Sequence, residues 1–304
     1  MKAGLLMNLI IVNHLTRDYG NGKGVFDVSF ALERGEAFGF LGPNGAGKTT
    51  TIRHLMGFLR PRSGNCVING LDCWKNSADI QRNLGYIPGE IHFFNDMTGM
   101  DYLHFLSRYR KLNKNSRLND LLDRFELDAR GKIKKMSKGM KQKLGIAAAF
   151  MHDPEILILD EPSSGLDPLM QNRFVELMNE ESARGKTILI SSHKFEEVER
   201  TCRRVGIIKD GKIVAMDAID VLKSTQVRNY VVTLESMEAA AAFSKEPLTI
   251  ADVSQNRVTV TVRNNLREFI AAMNRHAVTN LFAPEQRLEN IFMQYYGDGG
   301  GDHV

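Results

Sequence analysis

The sequence has no apolar run that approaches the roughly 18 residues needed to cross a membrane as a helix. The longest apolar candidates, such as residues 144–151, are far shorter. Residues 5–12 are also apolar, but one lysine precedes them, no small-residue cleavage site follows, and polar Asn13 and His14 come next. We therefore expect no membrane span in this chain, and we interpret residues 5–12 as the start of a first β-strand rather than a signal peptide.

Cysteine is also scarce. The sequence has three cysteines, Cys66, Cys73 and Cys202, which are odd in number and form no C-x-x-C pair. This spacing implies no disulfide framework. We interpret the three residues as reduced, partly buried thiols of a cytosolic protein.

Charge of one sign is not in large excess either, since the net charge is +4. The one dense basic run consists of Lys132, Lys134, Lys135, Lys138, Lys141 and Lys143. Such a run is compatible with a nucleic-acid or anionic-lipid patch, but a solvated helix face is the favoured interpretation. No aromatic residues are interleaved to stack on bases, so we expect no nucleic-acid partner.

Two segments of different character indicate two domains in the 304 residues. In residues 8–222, short apolar strands alternate with helical stretches, which is typical of a mostly parallel sheet covered by helices. In residues 223–304, the pattern predicts a β-α-β-β-α-β order and then a helix over residues 288–296. We therefore predict an α/β fold followed by a small α+β domain of the ferredoxin-like type.

The most informative motif is a glycine-rich segment that ends in lysine and threonine, between an apolar strand and a helix. Backbone N–H groups turned inward and the helix N-terminus together form a phosphate-binding loop. Lys48 adds a positive charge for the outer phosphates, and the Thr49 hydroxyl can coordinate Mg²⁺. A plain glycine-rich turn is the disfavoured alternative. The predicted nucleotide-binding residues are Gly42, Pro43, Asn44, Gly45, Ala46, Gly47, Lys48, Thr49 and Thr50.

A second motif is an apolar strand, residues 156–159, that ends in the carboxylates Asp160 and Glu161. At the C-terminal edge of a buried strand beside the phosphate loop, Asp160 can hold Mg²⁺, directly or through water, and Glu161 can polarise an attacking water. Alone, the pattern also fits a solvated acidic turn. Together with the phosphate loop, it favours nucleotide hydrolysis.

Between these motifs, Ser137 and Gly139 lie at the predicted start of a helix. The Ser137 hydroxyl and the free backbone N–H groups of this helix start form a second anion site. With this segment the sequence resembles the ATP-binding cassette (ABC) family over about residues 8–220. The resemblance implies a nucleotide-binding domain with a mostly parallel core sheet, an antiparallel β subdomain and a helical subdomain at about residues 91–152. It also implies ATP and Mg²⁺ as ligands, and it implies that Ser137, Lys138, Gly139 and Met140 form the signature segment that caps the nucleotide of a second copy.

Three further residues match the family. Asp167 lies in the loop through which two cassettes communicate. His193 follows a strand at the position of the switch histidine, which the resemblance implies reaches the γ-phosphate and helps to orient Glu161; a purely structural histidine is the alternative. Tyr19 matches the aromatic residue that stacks on adenine, and a core tyrosine is its alternative.

Two positions depart from the family pattern. Gly89 stands where the loop between the two subdomains usually has a glutamine that helps to coordinate Mg²⁺. The resemblance therefore does not imply a metal contact from this loop. In the signature segment, Lys138 replaces the first glycine and Met140 the usual glutamine, so only the serine and the last glycine match directly.

We predict that the chain is the ATPase subunit of an ABC membrane transporter, most simply an exporter of the drug and antibiotic branch, which short motifs near residues 288–296 resemble. In the family mechanism, two copies enclose two ATP·Mg²⁺, and hydrolysis assisted by Glu161 and His193 lets the dimer open. The expected partner is a separate integral membrane permease, contacted through the helical subdomain and the loop at Gly89. The predicted location is cytoplasmic, peripheral at the inner face of the cell membrane.

The alternative from another class is a soluble cassette protein that acts on ribosomes or DNA. Translation factors of this kind usually carry two cassettes, and the DNA-repair type inserts a long coiled coil, whereas this sequence has one cassette and no such insertion. For residues 223–304, a ligand-sensing module competes with a role in dimer contact or packing. Dimer contact or packing is the favoured interpretation.

Overall fold

The computed structural model describes residues 8–112, 116–224, 228–262 and 265–283, together with residues 288, 289 and 292. The chain divides into two compact units, Met1–Ile219 and Asp220–Val304. Among the described residues, no helix has the length and apolar character that a membrane span requires. Most of the helix predicted over residues 288–296 lies outside the described residues.

The described part of the first unit contains ten strands, seven α-helices and a short 3-10 helix (Ile133–Lys135). The strands are β1 (Asn8–Gly20), β2 (Lys23–Glu33), β3 (Ala37–Leu41), β4 (Ser63–Ile68), β5 (Leu71–Asp72), β6 (Leu84–Ile87), β7 (Ile156–Asp160), β8 (Thr187–Ser192), β9 (Arg204–Lys209) and β10 (Lys212–Ala218). The helices are α1 (Lys48–Leu55), α2 (Ser77–Arg82), α3 (Gly99–Tyr109), α4 (Ser116–Arg124), α5 (Lys138–Phe150), α6 (Pro168–Ala183) and α7 (Phe195–Thr201).

A six-stranded sheet with the order β10-β9-β3-β8-β7-β6 forms the centre of this unit. Every pairing in it is parallel except that of β10 with β9. Strands β3, β7 and β8 are buried along their whole length, which explains why their sequences are continuous apolar runs rather than alternating ones. Because parallel strands end at the same edge, the loops that follow β3, β6, β7 and β8 meet there.

A second, antiparallel sheet with the order β2-β1-β4-β5 packs against the first. The Phe30 ring of β2 stacks on the Phe38 ring of β3, with the ring centroids 5.4 Å apart, and Phe40 lies 5.3 Å from Phe30. These three rings belong to one buried apolar cluster that spans both sheets. The two sheets therefore share a single hydrophobic core.

Ion pairs join the helical region to the rest of the unit. Arg117 at the start of α4 donates to Glu181 of α6 at 2.7 Å, and Arg124 at the end of α4 donates to Glu180 at 2.8 Å. Glu181 is buried, so it needs a compensating positive charge from its neighbours. The orientation of α4 on α6 thus depends on charged side chains as well as on apolar packing.

The second unit follows helix α8 (Ile219–Ser224). It contains β11 (Arg228–Leu234), α9 (Met237–Phe243), β12 (Thr249–Ser254), β13 (Arg257–Val262), α10 (Leu266–Arg275) and β14 (Val278–Phe282). Its sheet has the order β12-β13-β11-β14, with all pairings antiparallel, and both helices contribute to its core. This confirms the predicted β-α-β-β-α-β order and the ferredoxin-like class of this unit.

The close packing of α7 on β3 leads to a stability prediction. A Cβ atom at Gly39 of β3 would lie 2.2 Å from Val198 Cγ1 of α7, whereas a Cβ atom at Gly131 would meet nothing within 4 Å. We expect Gly39→Ala to lower the free energy of unfolding by about 1–3 kcal/mol because it overpacks this contact. Gly131→Ala is the matched control, with a change within about 0.5 kcal/mol. Urea denaturation measures both, and equal values for the two variants would contradict the packing described.

The cysteines lead to a second prediction. Cys66, Cys73 and Cys202 are all free and buried. Burial raises the pKa of Cys66 and of Cys202 to about 12 and also raises the pKa of Cys73. Because the reactive thiolate forms only as the pH approaches these raised values, we expect almost no reaction of the folded protein with Ellman's reagent near pH 8. Three thiols should react once denaturant is added, and rapid reaction of any thiol in the folded protein would contradict the burial.

Candidate active site

Three glycines shape the loop between β3 and α1. Gly45 and Gly47 have φ angles of 85° and 112°, in the left-handed region that favours glycine. At Gly42, a Cβ atom would lie 2.5 Å from the carbonyl oxygen of Ile208, so a larger residue has no room. The chain can therefore turn sharply from the end of β3 into the N-terminus of α1.

Lys48, the first residue of α1, is only 5% exposed. Its Nζ donates to the carbonyl oxygens of Gly42 at 2.6 Å and Pro43 at 3.2 Å, and it lies 3.3 Å from Glu161 Oε1. A buried ammonium needs such partners. The loop thus holds a positive charge beside the helix N-terminus, which is the arrangement that attracts phosphate groups.

The other predicted residues of the loop differ in their exposure. Asn44 and Gly45 are exposed, Pro43 and Thr50 are half-buried, and Ala46 is buried. The exposed residues therefore lie at the outer turn of the loop, while its ends are packed into the protein.

Asp160, at the end of β7, is completely buried. Its Oδ2 accepts a hydrogen bond from Thr49 Oγ1 at 2.7 Å, and its Oδ1 accepts one from the Ser191 hydroxyl. The second contact follows from strand register, because Asp160 pairs with Ser191 where β7 and β8 run in parallel. Two hydroxyl donors compensate the cost of burying this carboxyl.

Glu161, the next residue, leaves the strand with a φ angle of 50°. Its backbone N–H donates to the carbonyl oxygen of Ser191 at 3.1 Å, which turns its side chain towards the loop after β8. There its Oε2 lies 2.6 Å from Nδ1 of His193, which is exposed. Its Oε1 accepts no hydrogen bond from the described residues. This carboxylate is thus oriented by an imidazole through one oxygen and faces the Lys48 ammonium at 3.3 Å with the other.

Asn44, Thr49, Glu161 and His193 line one cleft at the edge of the sheet. Its described lining residues are Asn44, Thr49, Arg53, Tyr86, Pro88, Gly89, Glu90, His92, Lys138, Glu161, Ser164 and His193. The loops after four parallel strands, β3, β6, β7 and β8, all contribute to it. A crevice at the carboxyl ends of parallel strands is the usual ligand site of such a sheet.

Comparison with known proteins identifies the kind of site. The chain matches the family model described as "ABC transporter" over residues 25–164. It is 34% identical to the linearmycin resistance ATP-binding protein LnrL of Bacillus subtilis (strain 168), over 95% of this chain and 98% of that protein. This chain belongs to the ABC transporter family. As a member of the family, it is an ATP-binding subunit that hydrolyses ATP, which confirms the predicted family and activity.

Two other comparisons agree. The bacitracin transport ATP-binding protein BcrA of Bacillus licheniformis is 34% identical, over 97% of this chain and 99% of that protein. A solved structure of the ATP-binding subunit of an ABC transporter is 35% identical and covers 71% of this chain and 92% of its own, with a TM-score of 0.66. The relatives are named for transport or resistance, and none of these three supports the alternative of a ribosomal or DNA-repair cassette.

The signature segment of this cassette lies at the N-terminus of α5. Ser137 is the N-cap, and its Oγ accepts a hydrogen bond from the Met140 N–H at 3.2 Å. A Cβ atom at Gly139 would lie 2.8 Å from the Gly165 carbonyl oxygen, so the segment packs closely on the loop before α6. Of the four signature residues, only Lys138 is among those that line the cleft described above. Ser137, Gly139 and Met140 are not among those lining residues.

Asp167 and Tyr19 also lie outside that set of lining residues. Asp167 is exposed and caps α6, where its Oδ1 accepts a hydrogen bond from the Met170 N–H at 2.9 Å. Tyr19 is exposed near the end of β1, and the Arg17 guanidinium carbon lies 5.5 Å from the centroid of its ring. The Tyr19 ring is thus available for stacking, which is compatible with the predicted adenine contact.

The cleft residues suit Mg²⁺, a hard cation that binds oxygen ligands and usually depends on one or two carboxylates plus substrate phosphates. Asp160 and Thr49 supply a carboxylate and a hydroxyl in mutual contact. In the described part of the chain, no group of three or more His, Cys, Asp or Glu residues could hold a metal by itself. The donor set therefore fits a magnesium ion that enters together with a nucleotide.

The departure at Gly89 has a steric explanation. A Cβ atom at this position would lie 3.0 Å from Asp160 Oδ2 and 3.8 Å from Thr49 Oγ1. In this conformation the loop backbone approaches the carboxyl so closely that a side chain at residue 89 would have to displace a neighbour. The loop after β6 therefore reaches the predicted metal position with its backbone instead of with a glutamine side chain.

Ser191 and Tyr86 are among the residues of this site that the sequence analysis did not select. Ser191 donates to Asp160, and the strand register of β7 and β8 would have been needed to find it. Tyr86 lines the cleft, and burial, followed by the charge of Asp160, raises its pKa to about 12 against an opposing effect of Arg53. In the sequence, only its place near the end of a strand and three residues before Gly89 could have indicated Tyr86.

Proposed function

We propose that this chain is the ATPase subunit of an exporter, in which two copies of the chain drive a separate membrane permease from the cytoplasmic face of the cell membrane. The observation that carries the proposal is the assembly of Lys48, Asp160, Glu161 and His193 at one sheet edge, with the signature serine outside the cleft. The relatives named for linearmycin resistance and bacitracin transport support the direction of transport.

The phosphate loop and α1 bind the triphosphate. The backbone N–H groups of residues 42–49 and the Lys48 ammonium neutralise its charge, and Tyr19 stacks on the adenine. Thr49 and Asp160 would hold the magnesium ion, which would offset the negative charge that develops on the phosphate groups. On nucleotide binding, the Lys48 ammonium exchanges its contacts with the carbonyl oxygens of Gly42 and Pro43 for phosphate oxygens.

Glu161 is the group that polarises the attacking water. Its Oε1 accepts no hydrogen bond from the described residues, while its Oε2 is held by His193 at 2.6 Å. The imidazole therefore fixes the rotamer of the carboxylate. Its other oxygen faces the Lys48 ammonium at 3.3 Å and becomes available to a water proton when that ammonium turns to the phosphates. Because His193 is exposed, it is also free to reach the γ-phosphate once ATP is bound.

A second copy completes each site. The Ser137 hydroxyl and the N–H groups at the start of α5 form an anion site, and Ser137 does not line the cleft of its own chain. In a two-fold dimer, Ser137, Lys138, Gly139 and Met140 of one copy cap the nucleotide held by the other, and the two Asp167 loops face each other across the interface. Two composite sites then form together.

An exposed aromatic stripe on the helical region offers the contact with the permease. Phe94, Phe105 and Tyr109 are 62%, 43% and 71% exposed, and their rings follow one another with centroid distances of 6.4 Å. Contiguous exposed apolar surface marks an interaction site. The stripe lies in the same region as Gly89 and Glu90, whose loop lines the cleft, so a partner bound there is well placed to sense the nucleotide.

A single substitution tests the role of Glu161. Glu161→Gln keeps the size of the side chain but cannot accept a proton, so we expect turnover to fall by about 100-fold or more while ATP binding persists. Size-exclusion chromatography with ATP and Mg²⁺ should then show a trapped dimer. Glu176→Gln, which makes the same charge change on the exposed face of α6, is the control and should hydrolyse ATP normally. Undiminished hydrolysis by Glu161→Gln would overturn the assignment.

Mixing two inactive variants tests the composite site. Lys48→Ala and Ser137→Arg should each abolish hydrolysis alone. Their mixture should recover about a quarter of the wild-type rate, because half of randomly formed dimers are mixed and each mixed dimer keeps one of two intact sites. The control mixture of Lys48→Ala with Glu161→Gln should recover nothing, since both changes affect the same half of the site. Absence of recovery in the first mixture would exclude the two-chain arrangement.

A further inference from the structure

The carboxyl of Glu197 lies behind the loops that carry Glu161 and His193. Glu197 belongs to α7 and is 7% exposed. Its Oε2 accepts a hydrogen bond from the Ser192 hydroxyl at 2.7 Å. A charged residue this deeply buried is rare without a specific role, since burial is costly unless partners compensate it.

The hydrogen bonds of the Ser192 hydroxyl hold the backbone on both sides of His193. Ser192 directly precedes the histidine, and its Oγ also accepts a hydrogen bond from the backbone N–H of Lys194, which follows the histidine, at 2.9 Å. One hydroxyl therefore ties the backbone before and after His193 to the Glu197 carboxyl. The direction in which the imidazole leaves the chain depends on this link.

The loop of Glu161 also lies near Glu197, although Glu197 Oε1 forms no hydrogen bond with the described residues. The pKa of Glu197 is raised, chiefly by burial and also by the negative charge of Glu161. The hydroxyls of Ser192 and Ser163 and the positive charge of Lys194 lower this pKa. Ser163 is buried and lies two residues after Glu161. The carboxyl is thus adjacent to both loops whose side chains meet at the contact of 2.6 Å between Glu161 and His193.

Helix α7 provides a rigid base for this carboxyl. Val198, the residue after Glu197, is completely buried and packs against Gly39 of β3, where even a Cβ atom would lie 2.2 Å from Val198 Cγ1. So close an approach leaves α7 little freedom to shift on the central sheet. The position of the Glu197 carboxyl is therefore set by the core rather than by the loops.

We propose that Glu197 is a positioning residue for hydrolysis: through the Ser192 hydroxyl it holds the loop of His193 in place, so that the imidazole orients the Glu161 carboxylate. The inference rests on the roles proposed above for His193 and Glu161. Glu197 itself does not line the cleft described above, and it acts through His193 and Glu161.

The test compares two substitutions of Glu197. Glu197→Ala removes the acceptor of Ser192 and should lower kcat by about 10- to 100-fold, because a small misplacement of catalytic groups costs that much. KM for ATP should change by less than about twofold, since the phosphate loop is untouched. Glu197→Gln retains an oxygen that accepts the Ser192 hydrogen bond and should restore most of kcat. An equal loss in both variants, or an equal change of KM and kcat, would overturn the inference.

A matched control separates positioning from stability. Glu181 is also a buried glutamate, but it pairs with Arg117 and Lys186 at the junction of α4 and α6. We expect Glu181→Ala to lower the melting temperature while kcat of the folded protein is retained. If Glu197→Ala does not fold, Ser192→Ala breaks the same contact from the other side and should give the same loss of kcat at constant KM. Normal kcat in Ser192→Ala would refute the proposal.

A spectroscopic measurement distinguishes this inference from the roles on which it rests. Nitrogen-15 NMR of labelled histidine reports the protonation and hydrogen bonding of the His193 ring, with His193→Ala to assign the signal. Ser192→Ala should shift this signal towards that of Glu161→Gln, and an unchanged signal would refute the positioning role. Should Glu161→Gln hydrolyse ATP normally, the proposed role of Glu161 fails, whatever the effect of Glu197 on the His193 signal.

Discussion

The hydrogen bonds of the Asp160 carboxyl are the contacts on which the candidate site depends. One oxygen is bound by Thr49 at the start of α1 and the other by Ser191 on β8, so a single buried group links the phosphate loop to two neighbouring strands. Glu161 follows it in sequence and is turned towards His193 by a backbone bond to the same serine. Loss of this carboxyl would break both the contact of β7 with the start of α1 and its side-chain contact with β8.

The parallel sheet makes this arrangement possible. The loops after β3, β6, β7 and β8 come from distant parts of the chain, yet parallel pairing brings all of them to one edge. The strands can be continuous apolar runs because both faces of the sheet are covered. Polar residues are then concentrated where the strands end, and these ends form the cleft.

The same fold leaves Ser137, Gly139 and Met140 of the signature segment outside the cleft of their own chain. Gly139 packs so closely on Gly165 that the start of α5 and the loop before α6 form one surface, with Asp167 and the anion-binding N-terminus on it. That surface has an anion site without a phosphate loop, whereas the cleft has a phosphate loop without this anion site. When two identical chains pair, the anion site of each chain can face the phosphate loop of the other, which is the physical basis of the proposed dimer.

The sequence by itself determined the motifs, the fold class and the family, because glycine spacing, strand periodicity and charge at strand ends are local properties. It also predicted the β-α-β-β-α-β order of the second unit from periodicity alone. It did not select Ser191, Tyr86 or Glu197, and it assigned no reason to Gly89. Only the tertiary structure decided these, since they depend on the register of β7 and β8, on the approach of the Gly89 backbone to Asp160, and on the packing of α7 against Gly39. Such contacts join residues distant in the chain, and no local pattern encodes them.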